Sequence, residues 1–311
     1  MSVSKEHISI YNLFDRDTVL HLRIPFSFFL LPVFCFGISQ ATSIYLYDTI
    51  VFFIALHLFI YPGSNIYNSY MDKDTGSIGG LKNPPPVTRK LYYASIVMDV
   101  AGLVVCAATG WRNMLLLAVY VAFSKAYSWR GIRLKKYPYI SWAVIAFFQG
   151  GYTFMLANMV AEHNVHLSWF GTKNIICMVV ATLLIGGSYP LTQIYQHKED
   201  SSRGDYTISY RLGIMGTFIF TLIMFVVSAG ILLYYFSAYS SVLHFFIFSG
   251  CLAPVMVYYL CWFYSTMKDR QNADYAHVMT MNKISAACMV VCFTIILVMN
   301  HMPVVCRFDN F

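Results

Sequence analysis

Long apolar runs recur along the whole chain and alternate with short polar segments. A helix needs roughly 20 apolar residues to cross the ~30 Å hydrocarbon layer of a bilayer, and most of these runs are about that long. The pattern therefore predicts an all-α polytopic membrane protein with about nine transmembrane helices in a bundle. The predicted spans are 20–40, 48–70, 91–109, 113–128, 138–158, 175–196, 214–236, 242–264 and 283–303.

Composition supports the same class. Of the 311 residues, 58% are hydrophobic and 11% are charged, against roughly 25% charged residues in an ordinary soluble domain. We find no soluble domain and no internal repeat, so the expectation is one membrane-embedded domain over 1–311, with 1–19 as a cytoplasmic N-terminal segment. The charged leader and the lack of a small-residue cleavage site indicate that the first run is a retained helix and not a signal peptide.

The basic residues predict how the bundle is oriented. Cytoplasmic loops of membrane proteins carry an excess of Lys and Arg. With nine spans and a cytoplasmic N-terminus, all but three of the 21 Lys and Arg residues fall on the cytoplasmic side; the exceptions are Arg112, Lys173 and Arg307. We therefore expect a multi-pass protein with its C-terminus on the opposite side. Membrane insertion and anionic lipid heads account for the net charge of +7, and we find no nucleic-acid motif.

An acidic cluster closes the second span on the predicted cytoplasmic side. Asn68 and Asp72 are four residues apart, so they share one face of a helix. Asp74 can join them only if the helix unwinds there, which Gly76 and the prolines at 84–86 favour.

A second acidic cluster closes the sixth span on the same side. Tyr195 and Glu199, and likewise Gln196 and Asp200, repeat the four-residue spacing, and Asp205 follows in a loop. Carboxylate and amide oxygens are the ligands that Mg²⁺ prefers, and substrate phosphates commonly complete its shell.

Basic residues accompany the two acidic clusters. Lys125, Arg133 and Lys135 lie between the clusters in sequence, and Lys198 lies within the second. They could neutralise phosphate oxygens that the metals do not reach. Taken alone, each cluster is more typical of charged helix ends in water, or of residues that set membrane topology, than of a catalytic site. Acids contribute little to orientation, however, so two acidic helix ends on one face favour a diphosphate site.

Two polar residues within the spans have open roles. Asp99 lies near the middle of the third span, where an acid is a functional candidate or a hydrogen-bonding partner for a neighbouring helix. His57, in the second span, is more typical of a packing contact. Neither is assigned to the site.

Several of these motifs resemble the UbiA superfamily of membrane prenyltransferases, whose two Asp-rich motifs follow helices two and six. The first family motif matches at Asn68 and Asp72 but has Gly76 at its last step, where Asp74 could substitute. In the second motif, Tyr195 is followed by Glu199 and Asp200 where the family often has a Lys-Asp pair. Further similarities are Arg23-Ile-Pro25, Tyr127-Ser128, Arg133-Leu134-Lys135 and Arg203-Gly204-Asp205.

The resemblance implies transfer of an isoprenoid chain from a prenyl diphosphate to an aromatic or other lipophilic acceptor, with Mg²⁺ bound at both acidic loops. The implied metal ligands are Asn68, Asp72, Asp74, Gln196, Glu199, Asp200 and Asp205. Asp72 and Asp200 are the implied catalytic residues. The implied diphosphate contacts are Lys125, Arg133, Lys135 and Lys198. A terpene cyclase with the same site and, from another class, a membrane transporter remain alternatives, and the acceptor is open.

Overall fold

The structure is a bundle of long helices. The computed structural model describes residues 12–164, 169–202 and 204–301, and these residues contain no β-strand. The helical segments are α1 (Arg16–Ser39), α2 (Leu46–Asp72), α3 (Arg89–Ala107), α4 (Trp111–Ser128), α5 (Pro138–Ala161), α6 (Thr172–Ser202), α7 (Ile208–Tyr239), α8 (Val242–Lys268) and α9 (Tyr275–His301). Of the predicted N-terminal segment 1–19, residues 1–11 lie outside the described part of the chain.

The all-α membrane class is confirmed, and the number nine is approximate. Within the described residues, eight helices are long and apolar enough to cross a membrane. The remaining one, α4, lies where a span is predicted and has 18 residues. It is less apolar because it carries Arg112, Asn113 and Lys125.

Two wide turns interrupt the helices that line the interior. In α2, the π-helical turn Ala55–Ile60 ends just before Pro62, which has no N–H to continue the α-helical ladder. In α5, the π-helical turn Ala146–Tyr152 contains Gly150. A Cβ on Gly150 would lie 2.5 Å from the carbonyl oxygen of Ala181, so only glycine allows α5 to approach α6 this closely.

Consecutive helices pack side by side, and α9 returns to pack against α1. The far end of α1 is filled by aromatic rings. Phe36 lies 4.6 Å from Phe293 and 4.8 Å from Phe154, measured between ring centroids, and all three are buried. The near end of α1, around Arg23, faces a cavity instead. The bundle is therefore closely packed in one half and hollow in the half where α2 and α6 end.

Candidate functional site

The first acidic cluster lies where α2 stops. Lys73 adopts a left-handed conformation (φ 55°), and its N–H donates to the carbonyl of Ser69 at 3.0 Å. The helix ends at Asp72, so Asp74 leaves the helical path and turns back toward Asn68 and Asp72. All three acidic or amide side chains line the same cavity. This is the unwinding that the glycines and prolines of the loop predict.

The second acidic cluster is formed by the irregular end of α6. Regular α-helix gives way to the 3₁₀ turn Ile194–Gln196 and then to the short helix His197–Ser202. Gly204 has φ 76°, which glycine adopts readily, and the N–H of Asp205 then donates to the carbonyl of Asp200 at 3.0 Å. This turn returns Asp205 to the cavity that Asp200 and Gln196 also line.

The two clusters face one cavity of about 290 Å³. Its polar end lies between the ends of α2 and α6, and its inner end runs between α4, α5 and α6 past Phe148 and Ile185. The charged and amide side chains that line it are Arg23, Asn65, Asn68, Asp72, Asp74, Lys135, Gln149, Gln193, Gln196, Asp200, Asp205 and Asn282. The cavity thus joins a polar mouth to an apolar interior.

Lys135 links the two acidic clusters. Its Nζ lies 2.6 Å from Asp72 Oδ1 and 3.1 Å from Asp205 Oδ2, and the side chains of all three residues are buried. Burial alone would lower the pKa of Lys135, but the charges of Asp72 and Asp205 raise it above its usual value. Lys135 is therefore a permanent cation between carboxylates from two different helix ends.

Arg133 holds Asp205 from the other side. Its Nε and Nη2 donate to the two oxygens of Asp205 at 3.1 and 2.7 Å, which is a bidentate pair. Burial alone would raise the pKa of Asp205, but the Arg133 hydrogen bond and the charge of Lys135 hold it below its usual range. Arg133 does not line the cavity, so its contact with the site is through Asp205.

Glu199 ties the two loops together. Its Oε1 accepts hydrogen bonds from the backbone N–H of Thr75 and of Gly76 at 3.1 and 3.2 Å. A Cβ on Gly76 would lie 2.5 Å from Glu199 Oε2, so the carboxylate occupies the space that a side chain at position 76 would need. Gln196 adds a second tie, since its Nε2 donates to the carbonyl of Ser77 at 3.2 Å.

We expect Glu199→Ala to lower the free energy of unfolding by about 1–2 kcal/mol, because two backbone amides lose a charged acceptor at a site partly open to water. Thermal unfolding in detergent measures this. Ser201→Ala is the matched control: Ser201 lies in the same short helix, and its hydroxyl donates to the carbonyl of Lys198 within that helix. If both variants unfold at the same temperature as the unsubstituted protein, Glu199 does not hold the loop after α2 to the end of α6.

Besides Arg133, two more of the four predicted diphosphate contacts do not line the cavity. Lys125 Nζ is 2.6 Å from Asp99 Oδ2 and 4.2 Å from the ring centre of Tyr67. An intramembrane acid at this position attracts the lysine toward the neighbouring helix, away from the cavity. Lys198 is exposed and does not line the cavity either. The assignments of Lys125 and Lys198 to the diphosphate stay predictions.

The structure adds residues that sequence reasoning left out of the site. Arg23 lines the cavity and donates to the carbonyls of Gly79 and Asn65 at 3.0 and 2.7 Å. It thereby fixes the loop after α2 to α1. The sequence did carry a signal for it, namely an arginine inside the first apolar run. Tyr127, which the family similarity includes, also lines the cavity, as do Gln193 and Tyr189, whose spacing does not set them apart from ordinary polar groups on a helix.

The donor set suits a hard cation that shares its shell with a substrate. Asp72, Asp74, Asp200 and Asp205 bring only carboxylate oxygens to the cavity, which Mg²⁺ prefers over nitrogen or sulfur. Among the described residues, no three His, Cys, Asp or Glu side chains converge tightly enough to cage a metal alone. Mg²⁺ is commonly held by one or two carboxylates together with substrate phosphates, so an open arrangement of this kind fits.

Comparisons with known proteins point to one family. The model of the UbiA prenyltransferase family matches residues 28–301. Among the curated proteins compared, none matches this chain significantly.

Solved structures share the fold at low sequence identity. A UbiA homologue from Archaeoglobus fulgidus bound to GPP and Mg²⁺ is 16% identical, with a TM-score of 0.67 over 90% of this chain and 99% of that chain. The same homologue bound to DMAPP and Mg²⁺ is 17% identical, with the same TM-score and coverage. A digeranylgeranylglyceryl phosphate synthase structure is 15% identical, with a TM-score of 0.58 over 91% of this chain and 98% of that chain.

Proposed function

Because this chain belongs to the UbiA prenyltransferase family, we propose that it transfers an isoprenoid chain from a prenyl diphosphate to a lipophilic acceptor within the membrane. The family resemblance read from the sequence is thereby confirmed. The observation that carries the proposal is the single cavity that joins the acidic ends of α2 and α6 to an apolar interior. The Archaeoglobus fulgidus homologue of the same fold, bound to GPP or DMAPP with Mg²⁺, supports this reading.

Mg²⁺ is the proposed cofactor. The proposed ligands from the end of α2 are Asn68, Asp72 and Asp74. Those from the end of α6 and the following loop are Gln196, Asp200 and Asp205. When bound, Mg²⁺ would neutralise the negative charge of the diphosphate and of the leaving group. Glu199 remains a proposed ligand only if it releases the backbone of Thr75 and Gly76.

The protein's own cations have a separate role at the diphosphate. Lys135 is buried at the cavity wall, where a phosphate oxygen could replace one of its two carboxylate partners. Its positive charge then stabilises the negative charge that grows on the leaving diphosphate, and it is already in place before the bond breaks. Arg133 keeps Asp205 ionised and oriented and so positions the site, and its predicted contact with the diphosphate remains a proposal.

The proposed reaction is ionisation followed by capture. The allylic C–O bond breaks, and its electron pair leaves with the diphosphate. The acceptor then donates an electron pair to the allylic cation and forms the new bond to carbon. It loses a proton, which leaves with the diphosphate product. The apolar walls around Phe148 and Ile185 keep water from the cation and hold the isoprenoid tail.

The proposed orientation places the cavity mouth on the cytoplasmic side. The basic residues Arg130, Arg133, Lys135 and Lys136 all lie between α4 and α5 at this end of the bundle, as the positive-inside rule predicts for a cytoplasmic loop. The multi-pass membrane class follows from the family and the apolar helices. The sidedness of the two termini, and a single domain over 1–311, remain proposals.

Product analysis by mass spectrometry tests the reaction type. Purified protein in detergent receives Mg²⁺, geranyl diphosphate and a panel of lipophilic acceptors. Adducts of prenyl group and acceptor are expected. Cyclic or rearranged hydrocarbons formed without any acceptor would instead identify a terpene cyclase. Uptake into proteoliposomes without diphosphate release would identify a transporter.

A further inference from the structure

A second cavity lies at the opposite end of the bundle, remote from the acidic clusters. It measures about 510 Å³ and lies where α1, α5, α7 and α9 end and α6 begins. Each of these helix ends contributes to its lining, through Gln40, Glu162, Tyr239, Asn300 and Lys173. It shares no lining residue with the cavity between α2 and α6, so the two are separate sites.

Two formal charges of opposite sign line this second cavity without pairing with each other. Glu162 Oε1 accepts hydrogen bonds from the N–H and the hydroxyl of Thr42 at 2.6 and 3.1 Å, on the side of the α1–α2 loop. Lys173 Nζ lies 5.5 Å from the ring centre of Tyr239, on the side of α7. Among the described residues, neither Glu162 nor Lys173 forms an ion pair. The lining is therefore neutral in sum, with its two charges held apart.

Exposed apolar side chains lie next in sequence to three residues of this lining. Phe170 is 45% exposed, Tyr234 58% and Met299 41%, and they adjoin Trp169, Tyr235 and Asn300, respectively. In a membrane protein such side chains near a helix end contact lipid, and aromatic residues are enriched at this depth. The cavity thus offers a polar, charged space beside a lipid-facing rim, which suits an amphipathic occupant.

We propose that this cavity binds the headgroup of a zwitterionic lipid with a primary ammonium group, of the phosphatidylethanolamine type. The lipid comes from the leaflet at this end of the bundle. Its phosphate pairs with Lys173, its ammonium donates to Glu162, and its acyl chains lie along the apolar rim. Both polar contacts are charge-assisted hydrogen bonds, which are about twice as strong as neutral ones. The proposal does not depend on the proposed prenyl transfer.

A trimethylammonium headgroup fits this cavity less well. It has no N–H to donate to Glu162, and it is usually held by an open cage of aromatic rings. Trp169 and Tyr235 are only 2% and 5% exposed, so their rings are covered by the protein. The third ring, that of Tyr239, already lies beside the ammonium of Lys173. The lining therefore favours ethanolamine over choline.

Lipid titration followed by native mass spectrometry tests this site on the full chain, purified in detergent. The probes are the dioleoyl forms of phosphatidylethanolamine, phosphatidylcholine and phosphatidylglycerol. The unsubstituted protein should bind the ethanolamine lipid about tenfold more tightly than the other two, because only this lipid satisfies both charges with hydrogen bonds. Glu162→Gln should reduce its affinity to that of the choline lipid. Lys173→Gln should weaken all three lipids, since all carry the phosphate.

Two control variants change charges at the same end of the bundle. Asp48 pairs with His163, and Arg112 lies 5.5 Å from the ring centre of Trp111. Neither Asp48 nor Arg112 lines the second cavity. Asp48→Asn and Arg112→Gln should therefore keep the tenfold preference for the ethanolamine lipid.

Three results would overturn the proposal. The first is equal affinity of the unsubstituted protein for the three lipids, a comparison that needs no variant to fold. The second is an unchanged preference in Glu162→Gln with retained helical circular dichroism. The third is displacement of the ethanolamine lipid by an equal concentration of soluble phosphoethanolamine, which would identify the ligand as a soluble compound and not a lipid.

Discussion

Asp72→Asn and Asp200→Asn are each expected to slow consumption of geranyl diphosphate by about 10²–10³-fold, as losses of a preorganised electrostatic group at a reacting centre typically do. Each change keeps the shape of the side chain but removes a carboxylate from the end of α2 or of α6. Both residues line the cavity. Diphosphate release by the purified protein, measured at saturating Mg²⁺ and at a series of Mg²⁺ concentrations, checks this.

Asp48→Asn is the matched control, since Asp48 lies in the first turn of α2 and pairs with His163, at the end of the helix remote from Asp72. An asparagine there can still accept the histidine hydrogen bond. We expect the control to keep its activity. Activity of Asp72→Asn or Asp200→Asn within a few-fold of the Asp48→Asn control would remove that residue from the site.

Lys135→Met should also cause a large loss, about 10²-fold in kcat/KM for the prenyl diphosphate. The change keeps most of the apolar stem but removes a cation that contacts carboxylates of both acidic clusters. It also leaves Asp72 without its described ion-pair partner, which should lower the free energy of unfolding. Steady-state kinetics and thermal unfolding in detergent, run on the same preparation, separate the two effects.

The neighbouring Lys136 supplies the control for this change. Lys136 is exposed and does not line the cavity, so Lys136→Met should leave both kinetics and unfolding close to those of the unsubstituted protein. If Lys135→Met were thermally destabilised but kept its kcat/KM, Lys135 would be a structural cation and not a contact of the diphosphate.

The length of the apolar runs was sufficient to predict the helices, because each span must satisfy its own backbone hydrogen bonds in lipid. The least apolar predicted span, at 113–128, corresponds to α4, which is not among the eight described helices that are long and apolar enough to cross a membrane. The internal irregularities were not predictable in the same way. The π-helical turns Ala55–Ile60 and Ala146–Tyr152 lie beside Pro62 and include Gly150, respectively, but a proline or glycine within a span does not by itself specify a π-helical turn.

The candidate site, too, could be predicted only in part from the sequence. Asp72 and Asp200 could be placed at one cavity from sequence, because each ends a long apolar run on the same predicted side. The ion-pair partners of the basic residues could not be predicted from the sequence. Lys125 pairs with Asp99 on the adjacent helix, whereas Lys135 reaches Asp72. Lys125 lies in the last turn of α4 and Lys135 in the segment that follows it. The sequence does not say which carboxylate either lysine contacts, because that depends on how the helices pack.

The role of Glu199 could not be predicted from its spacing in the sequence either. Spacing alone places it beside Asp200 as a second acidic residue, yet its carboxylate is used by the backbone of Thr75 and Gly76. The absence of a side chain at Gly76 makes room for it. The departure of this chain from the family pattern at position 76 and the presence of an acid at 199 are therefore linked in the structure.

The central claim is that the cavity between α2 and α6 ionises a prenyl diphosphate with Mg²⁺. Its most direct test is diphosphate release from geranyl diphosphate by the purified, unsubstituted protein, followed with Mg²⁺, with EDTA, and after Mg²⁺ is restored. We predict release with Mg²⁺, loss of release in EDTA, and full recovery on restoring the metal. Release at the same rate in EDTA, or no release under any of the three conditions, would contradict the claim.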